Sequence, residues 1–128
     1  MVALSELAAN TERLFGITCR FECDTPILID DNSVATHLYR IVQEALNNAI
    51  KHGRADTVLI RLSTDGKTGS LTVKDNGHGF AGGTAQGKGM GLNIMRYRAS
   101  MISASLDIRG DDERGTVLTC SFPNRNDG

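Results

Sequence analysis

Apolar residues recur at three- and four-residue intervals through one stretch of the chain: Leu38, Ile41, Val42, Ala45, Leu46, Ala49 and Ile50. That period predicts one long amphipathic helix from Val34 to Lys51, because residues so spaced form a single stripe. Gly53 is expected to end it, and any of Asp30, Asp31, Asn32 or Ser33 can supply the starting cap. Ahead of it, Leu4, Leu7, Ala8 and Leu14 predict a short helix over Val2 to Phe15, stopped by Gly16. Between the two, Ile17, Cys19, Phe21 and Cys23 alternate with polar residues, the period of a strand with one buried face.

Further on, β-branched residues predict a strand over Thr57 to Ser63, a turn at Asp65-Gly66-Lys67-Thr68-Gly69 and a second strand over Ser70 to Lys74. A segment with seven glycines between Gly77 and Gly91 resists regular structure. After it, Leu92, Met95, Ala99 and Ile102 share a helical face over Leu92 to Met101, and Ser105 to Arg109 and Thr116 to Phe122 form a closing hairpin. Two layers follow, helices on one face of a sheet. A glycine-rich loop followed by elements that complete the sheet reads as a binding lid, mobile without its ligand and ordered with it.

At 128 residues, 40% hydrophobic and 23% charged, the chain has the size and composition of one globular domain. Runs as short as Val58 to Ile60 fall far below the roughly 20 apolar residues of a membrane span, and no signal-peptide pattern opens the chain, so a cytoplasmic domain without membrane contact is expected. A formal charge of −1, few aromatics and no Trp argue against a nucleic-acid partner. Three cysteines do not suggest a disulfide framework. Cys19 and Cys23 share a strand face, and the four ligands of a structural zinc are not in view, so no metal is assigned to cysteine.

Candidate chemistry sits at three places. Glu44, Asn48, Lys51 and His52 fall on one helical stripe, with Asn47 beside them. A carboxylate plus an amide oxygen suits Mg²⁺, and Lys51 and His52 one turn on suit phosphate, although a solvated helix face has the same composition. Asp75 ends a strand before Gly77 and Gly79, so its carboxylate can accept a hydrogen bond from an exocyclic amine where a flat ring approaches; Asp-Asn-Gly is also an ordinary turn signal. Gly87, Gly89 and Gly91 precede the helix near Leu92, placing free N–H groups and the positive end of a helix dipole where an anion can bind. The segment follows no first strand of a βαβ unit, and Lys88 is followed by Gly89 in place of Ser or Thr, so neither a dinucleotide fold nor a P-loop is matched.

Taken in order, an acidic, asparagine-bearing helix, Asp-x-Gly-x-Gly after a strand, Gly-x-Gly at a helix start and Gly115-Thr116 in a closing strand resemble the Bergerat-type ATPases over roughly residues 30 to 123. Gln43-Glu-Ala-Leu-Asn-Asn-Ala-Ile-Lys-His52, preceded by Tyr39-Arg40, is similar to the N box of the sensor histidine kinases partnered with helix-turn-helix response regulators. The resemblance implies an α+β fold: a two-layer α/β sandwich with helices on one face of a mixed, mostly antiparallel sheet. It implies ATP and Mg²⁺ as ligands. Asn48 would hold Mg²⁺ and Glu44 line the metal and water side, the two forming the catalytic pair. Lys51 or His52 would meet phosphates. Asp75 would receive the adenine amino group, Gly77 and Gly79 shape the pocket, and Thr116 add a hydroxyl beside it. Gly89, Met90, Gly91 and Leu92 would frame the phosphates at the base of the lid, with Lys88 either reaching a terminal phosphate or solubilising the lid.

A kinase of this kind transfers the γ-phosphoryl of ATP to a histidine that is typically followed by an acidic residue on a dimerisation helix. His37, His52 and His78 are followed by Leu38, Gly53 and Gly79, so none fits. Residues 1–16 are expected to be the end of the dimerisation region or a linker helix and 17–128 the ATP-binding catalytic domain, a monomeric fragment whose partners are the dimerisation helices and a response regulator. Alternatives are an anti-sigma-type serine kinase of the same fold and a non-catalytic ATP-binding interaction module.

Overall fold

The apolar alternation of five segments closes into one mixed sheet with strand order β1-β2-β3-β5-β4. The computed structural model describes residues 2–23, 32–77, 89–110 and 115–123, with backbone alone at Val2, Gly89 and Met90. Its elements are α1 (Val2–Phe15), β1 (Thr18–Cys23), α2 (Asn32–Asn47) continued by a π-helical turn (Asn48–His52), β2 (Thr57–Thr64), β3 (Thr68–Asp75), α3 (Gly89–Met101), β4 (Ser105–Gly110) and β5 (Thr116–Pro123). β1 runs parallel to β2, a pairing that requires the crossover through α2, and the other three pairs are antiparallel.

Register puts one row of apolar side chains across all five strands, Phe21, Ile60, Val73, Leu118 and Ile108, and a second beside it, Cys23, Leu62, Leu71, Cys120 and Leu106. Against these rows α2 buries Leu38, Ile41, Val42, Ala45 and Leu46, while α3 contributes Leu92, Met95, Ala99 and Ile102. α1 enters the same core through Leu4 and Ala8. Its end is tied down where the Cys19 N–H donates to Glu12 Oε1 at 2.8 Å, and Gly16 turns the chain at φ 67°. The opposite sheet face carries Arg61 and Lys74, both exposed. This is the α+β arrangement expected, two layers with the helices on one side of a mixed, mostly antiparallel sheet. No described helix is long and apolar enough to cross a membrane.

Three expectations change in detail. The helix expected over Val34 to Lys51 is α-helical only from Asn32–Asn47; Asn48–His52 form a π turn in which the Gly53 N–H reaches Asn48 O at 2.8 Å. Bonding over five residues widens that turn, which apolar periodicity cannot reveal. Gly53 follows the last helical residue, as expected, at φ −92°, and Arg54 takes the left-handed conformation at φ 52°. The last helix begins at Gly89, not near Leu92, because glycine's low propensity is offset where Gly91 packs on α2. Strand β3 begins at Thr68, two residues early; Asp65 Oδ1 accepts from the N–H groups of Lys67 and Thr68, which shortens the turn and holds the Asp65 carboxyl below its usual range. Gly79, Phe80, Lys88 and the rest of the glycine-rich segment up to Lys88, together with the turn at Asp111 to Arg114, lie outside the described residues.

The cysteines supply a pH test of the core. Burial pushes the Cys19 thiol up to about 11, with the Glu12 carboxylate adding to the effect, and burial alone does the same for Cys120. A raised thiol pKa means that the unfolded chain loses protons first as pH rises, so stability falls between about pH 9 and 11. Urea midpoints followed across that window should drop steadily, and Cys19→Ala,Cys120→Ala should flatten the slope. A slope unaffected by the double substitution would place the titration elsewhere.

Candidate functional site

Strands β3 and β5 end side by side, and their last ladder pair is Asp75 opposite Thr116. Because Val73 and Leu118 point into the core, the period of two carries Asp75 and Thr116 to the same face at the sheet's rim, beneath α2. There the π turn adds Asn48 and the residue after it, Gly53, and Ala45, Ala49, Val73, Met95, Ile108 and Leu118 complete an open cleft. Its walls are apolar with a few convergent polar groups, as small-molecule sites require.

Asp75 is held in orientation by the turn that follows it. Its Oδ1 accepts the Gly77 N–H at 2.8 Å. Gly77 is pressed against the π turn's end: a methyl built on it would lie 2.6 Å from the Gly53 carbonyl oxygen. The turn after Asp75 is therefore packed backbone against backbone on Gly53, one of the cleft's lining residues.

At the other rim, the first turn of α3 lies on the acidic stripe of α2. A methyl built on Gly91 would be 3.3 Å from both Asn48 Oδ1 and Glu44 Oε2. Two hard oxygens thus converge beside the N-terminus of a 13-residue helix, where backbone N–H groups favour anions. Hard oxygens of that kind fit Mg²⁺, which takes one or two protein ligands and completes its shell with water and phosphate. Among the described residues no cluster of three or more His, Cys, Asp or Glu forms a ready-made metal cage.

Of the residues singled out from sequence, Asn48, Asp75, Thr116 and Gly91 come together with Glu44 and Gly77. Lys51 and His52 lie in the π turn, are exposed and do not line the cleft. Leu92 is buried in the core, 8% exposed, and does not line the cleft. Gly89 and Met90 form the first positions of α3. The walls Ala45, Ala49, Val73, Met95, Ile108 and Leu118 were missed as site residues because their spacing is that of any core position.

A sequence profile described as histidine kinase-, DNA gyrase B- and HSP90-like ATPase matches residues 33–126. The chain belongs to this ATPase family. Family membership implies use of ATP. Among its relatives is the oxygen sensor histidine kinase NreB of Staphylococcus carnosus, 34% identical over 113 residues that make up 88% of this chain and 33% of the relative. The chain spans a third or less of the length of the curated relatives it matches. Among solved structures, the histidine kinase domain of the blue-light activated kinase from Erythrobacter litoralis EL346 superposes with a TM-score of 0.78 at 24% identity, covering 94% of this chain and 59% of that one. The ATP binding domain of PrrB from Mycobacterium tuberculosis gives 0.74 at 20% identity, covering 98% and 93%. Both carry the same fold.

Proposed function

We propose that this chain is the ATP-binding catalytic domain of a sensor histidine kinase, transferring the γ-phosphoryl of ATP to a histidine on a separate dimerisation helix. The observation that carries the reading is the meeting of Asp75, Thr116 and Asn48 around one apolar cleft, with Gly91 seated on Glu44 and Asn48 at its rim. Relatives named as sensor histidine kinases support it, and a solved structure of the same fold, full-length ShkA, with a TM-score of 0.70 at 21% identity, is described in complex with AMPPNP.

In this reading the adenine ring enters between Ala49, Val73, Met95 and Leu118, and its amino group donates to Asp75, with the Thr116 hydroxyl beside it. The triphosphate then runs toward the first turn of α3, where Gly91 leaves room near Asn48 and Glu44. Asn48, on the side lined by Glu44, would hold Mg²⁺ there, and the ion would supply charge neutralisation at the phosphates. Lys51 or His52 and Lys88 are proposed as phosphate contacts, and Gly79 as part of the adenine turn. Catalysis in phosphoryl transfer is mostly positioning plus charge stabilisation, which matches a site whose described residues offer alignment rather than a covalent nucleophile.

The proposed division of the chain is 1–16 as the end of a dimerisation region or linker and 17–128 as the catalytic domain. Proposed partners are the dimerisation helices and a response regulator, and the proposed setting is cytoplasmic, where ATP is supplied and its free cysteines stay reduced. Incubating the chain with γ-labelled ATP, Mg²⁺ and the separately produced dimerisation helices should give an acid-labile, base-stable phosphohistidine on those helices. An acid-stable phosphoserine on a partner would point to a serine kinase instead. Saturable ATP binding with no transfer to any acceptor would reduce the domain to a nucleotide-binding module.

A further inference from the structure

Asn76 makes three hydrogen bonds that the nucleotide reading leaves unused. Its Oδ1 accepts the N–H of Asp56 at 2.8 Å and the N–H of Thr57 at 2.9 Å, and its own N–H donates to Thr57 O at 3.2 Å. The last ladder pair of β2 and β3 is Val58 with Asp75, so these bonds extend the pairing one step beyond the sheet, at the residue where β3 leaves it. Asp56 is in turn bonded to β1, its carbonyl accepting the Thr18 N–H at 2.9 Å. The turn that carries Asp75 is thus anchored through Asn76 to two neighbouring strands.

The neighbours of Asn76 have little freedom to compensate. Asp75 precedes it and Gly77 follows it; the Gly77 N–H donates to Asp75 Oδ1, and Gly77 has no room for a side chain against Gly53. Rotation of the backbone at Asn76 would therefore carry the Gly77 N–H away from Asp75 and release its carboxylate from the cleft-facing orientation. One acceptor oxygen taking two successive backbone N–H groups is a task that Asn and Asp can perform and Ala cannot.

We propose that Asn76 is a positioning residue for nucleotide recognition, its amide oxygen setting the angle at which Asp75 meets the base and so the selectivity for a base bearing an exocyclic amine. This rests on Asp75 as the adenine acceptor. Asn76 lies on the exposed side of the turn and acts through Asp75 alone.

The test compares ATP with purine riboside triphosphate, which lacks the amino group, by calorimetric titration in Mg²⁺ on the wild type, Asn76→Ala and Asn76→Asp, with a thermal melt of each. Wild type should prefer ATP, and Asn76→Ala should lose roughly fivefold of that preference, the loss expected when one ordinary hydrogen bond goes out of alignment. Asn76→Asp, which keeps the acceptor oxygen, should restore the preference to within about twofold of wild type. A preference kept in Asn76→Ala alongside a lowered melting temperature would make Asn76 purely structural and overturn the proposal. Absence of any preference in the wild type would overturn the reading of Asp75, and this proposal with it. If Asn76→Ala does not fold, Asn76→Ser, whose oxygen is drawn back by one bond, serves the same comparison.

Discussion

Asp75→Asn should weaken the binding of a non-hydrolysable ATP analogue with Mg²⁺ by more than tenfold, about 1.4 kcal/mol. The substitution keeps shape and volume and changes one group. In the wild type Asp75 Oδ1 accepts the Gly77 N–H. An asparagine that preserves this bond must turn its NH₂ group to where the other carboxylate oxygen stood, so an adenine amine bound there meets a donor instead of an acceptor. Two donors facing each other in an apolar cleft cost more than a missing bond, because neither finds a partner. Calorimetry on both proteins measures the ratio, and a melt of each shows whether the fold survives. Equal affinity in the two would remove Asp75 from the base contact. Loss of affinity together with a collapsed melting temperature would say that the carboxylate serves the turn.

Gly115→Ala should be the most destabilising single-methyl change at the site, costing roughly 3 kcal/mol, or about 10 °C in melting temperature for a domain of this size. Gly115 sits at φ 101°, a backbone region side chains rarely adopt, and a methyl there would collide with the Asp75 carbonyl oxygen. Asp75 is the last rung of the β3–β5 ladder and Gly115 immediately precedes its partner Thr116, so relief requires the strands to part where Asp75 faces Thr116. Nucleotide affinity should therefore fall along with stability. A control at Gly110, where an added methyl meets nothing within 4 Å, should change neither by more than about 0.5 kcal/mol. A Gly115→Ala protein as stable as the wild type would show that the strand ends yield easily.

Much of this protein was legible in its order of residues. Spacing predicted α1, the α-helical body of α2 and β1, because burying one face of a helix or strand imposes a period on the chain, and β-branched residues around a turn signal predicted the first hairpin. The resemblance carried by Gln43 to His52, Asp75 to Gly79 and the Gly89-Met-Gly91 step pointed to an ATPase, and the family match agrees. These are local signals, written within one helix or one turn.

Tertiary structure decided what depends on pairs of distant segments. The sheet order, with β5 between β3 and β4, brings Thr116 opposite Asp75, and no local pattern encodes that register. Packing of α3 on α2 put Gly91 at Glu44 and Asn48 and drew the helix start back to Gly89. Lys51 and His52 stand exposed in a π turn outside the cleft lining, and the wider turn, which alters only the phase of the stripe, leaves no mark in the composition. Ala45 and Met95, which read as apolar helix faces from their spacing, became cleft walls because the same apolar face that fills a core also lines a pocket where the layers part. Asn76 gave the least warning of all. Its partners lie 19 and 20 residues away, and only the fold brings them within reach of one amide oxygen.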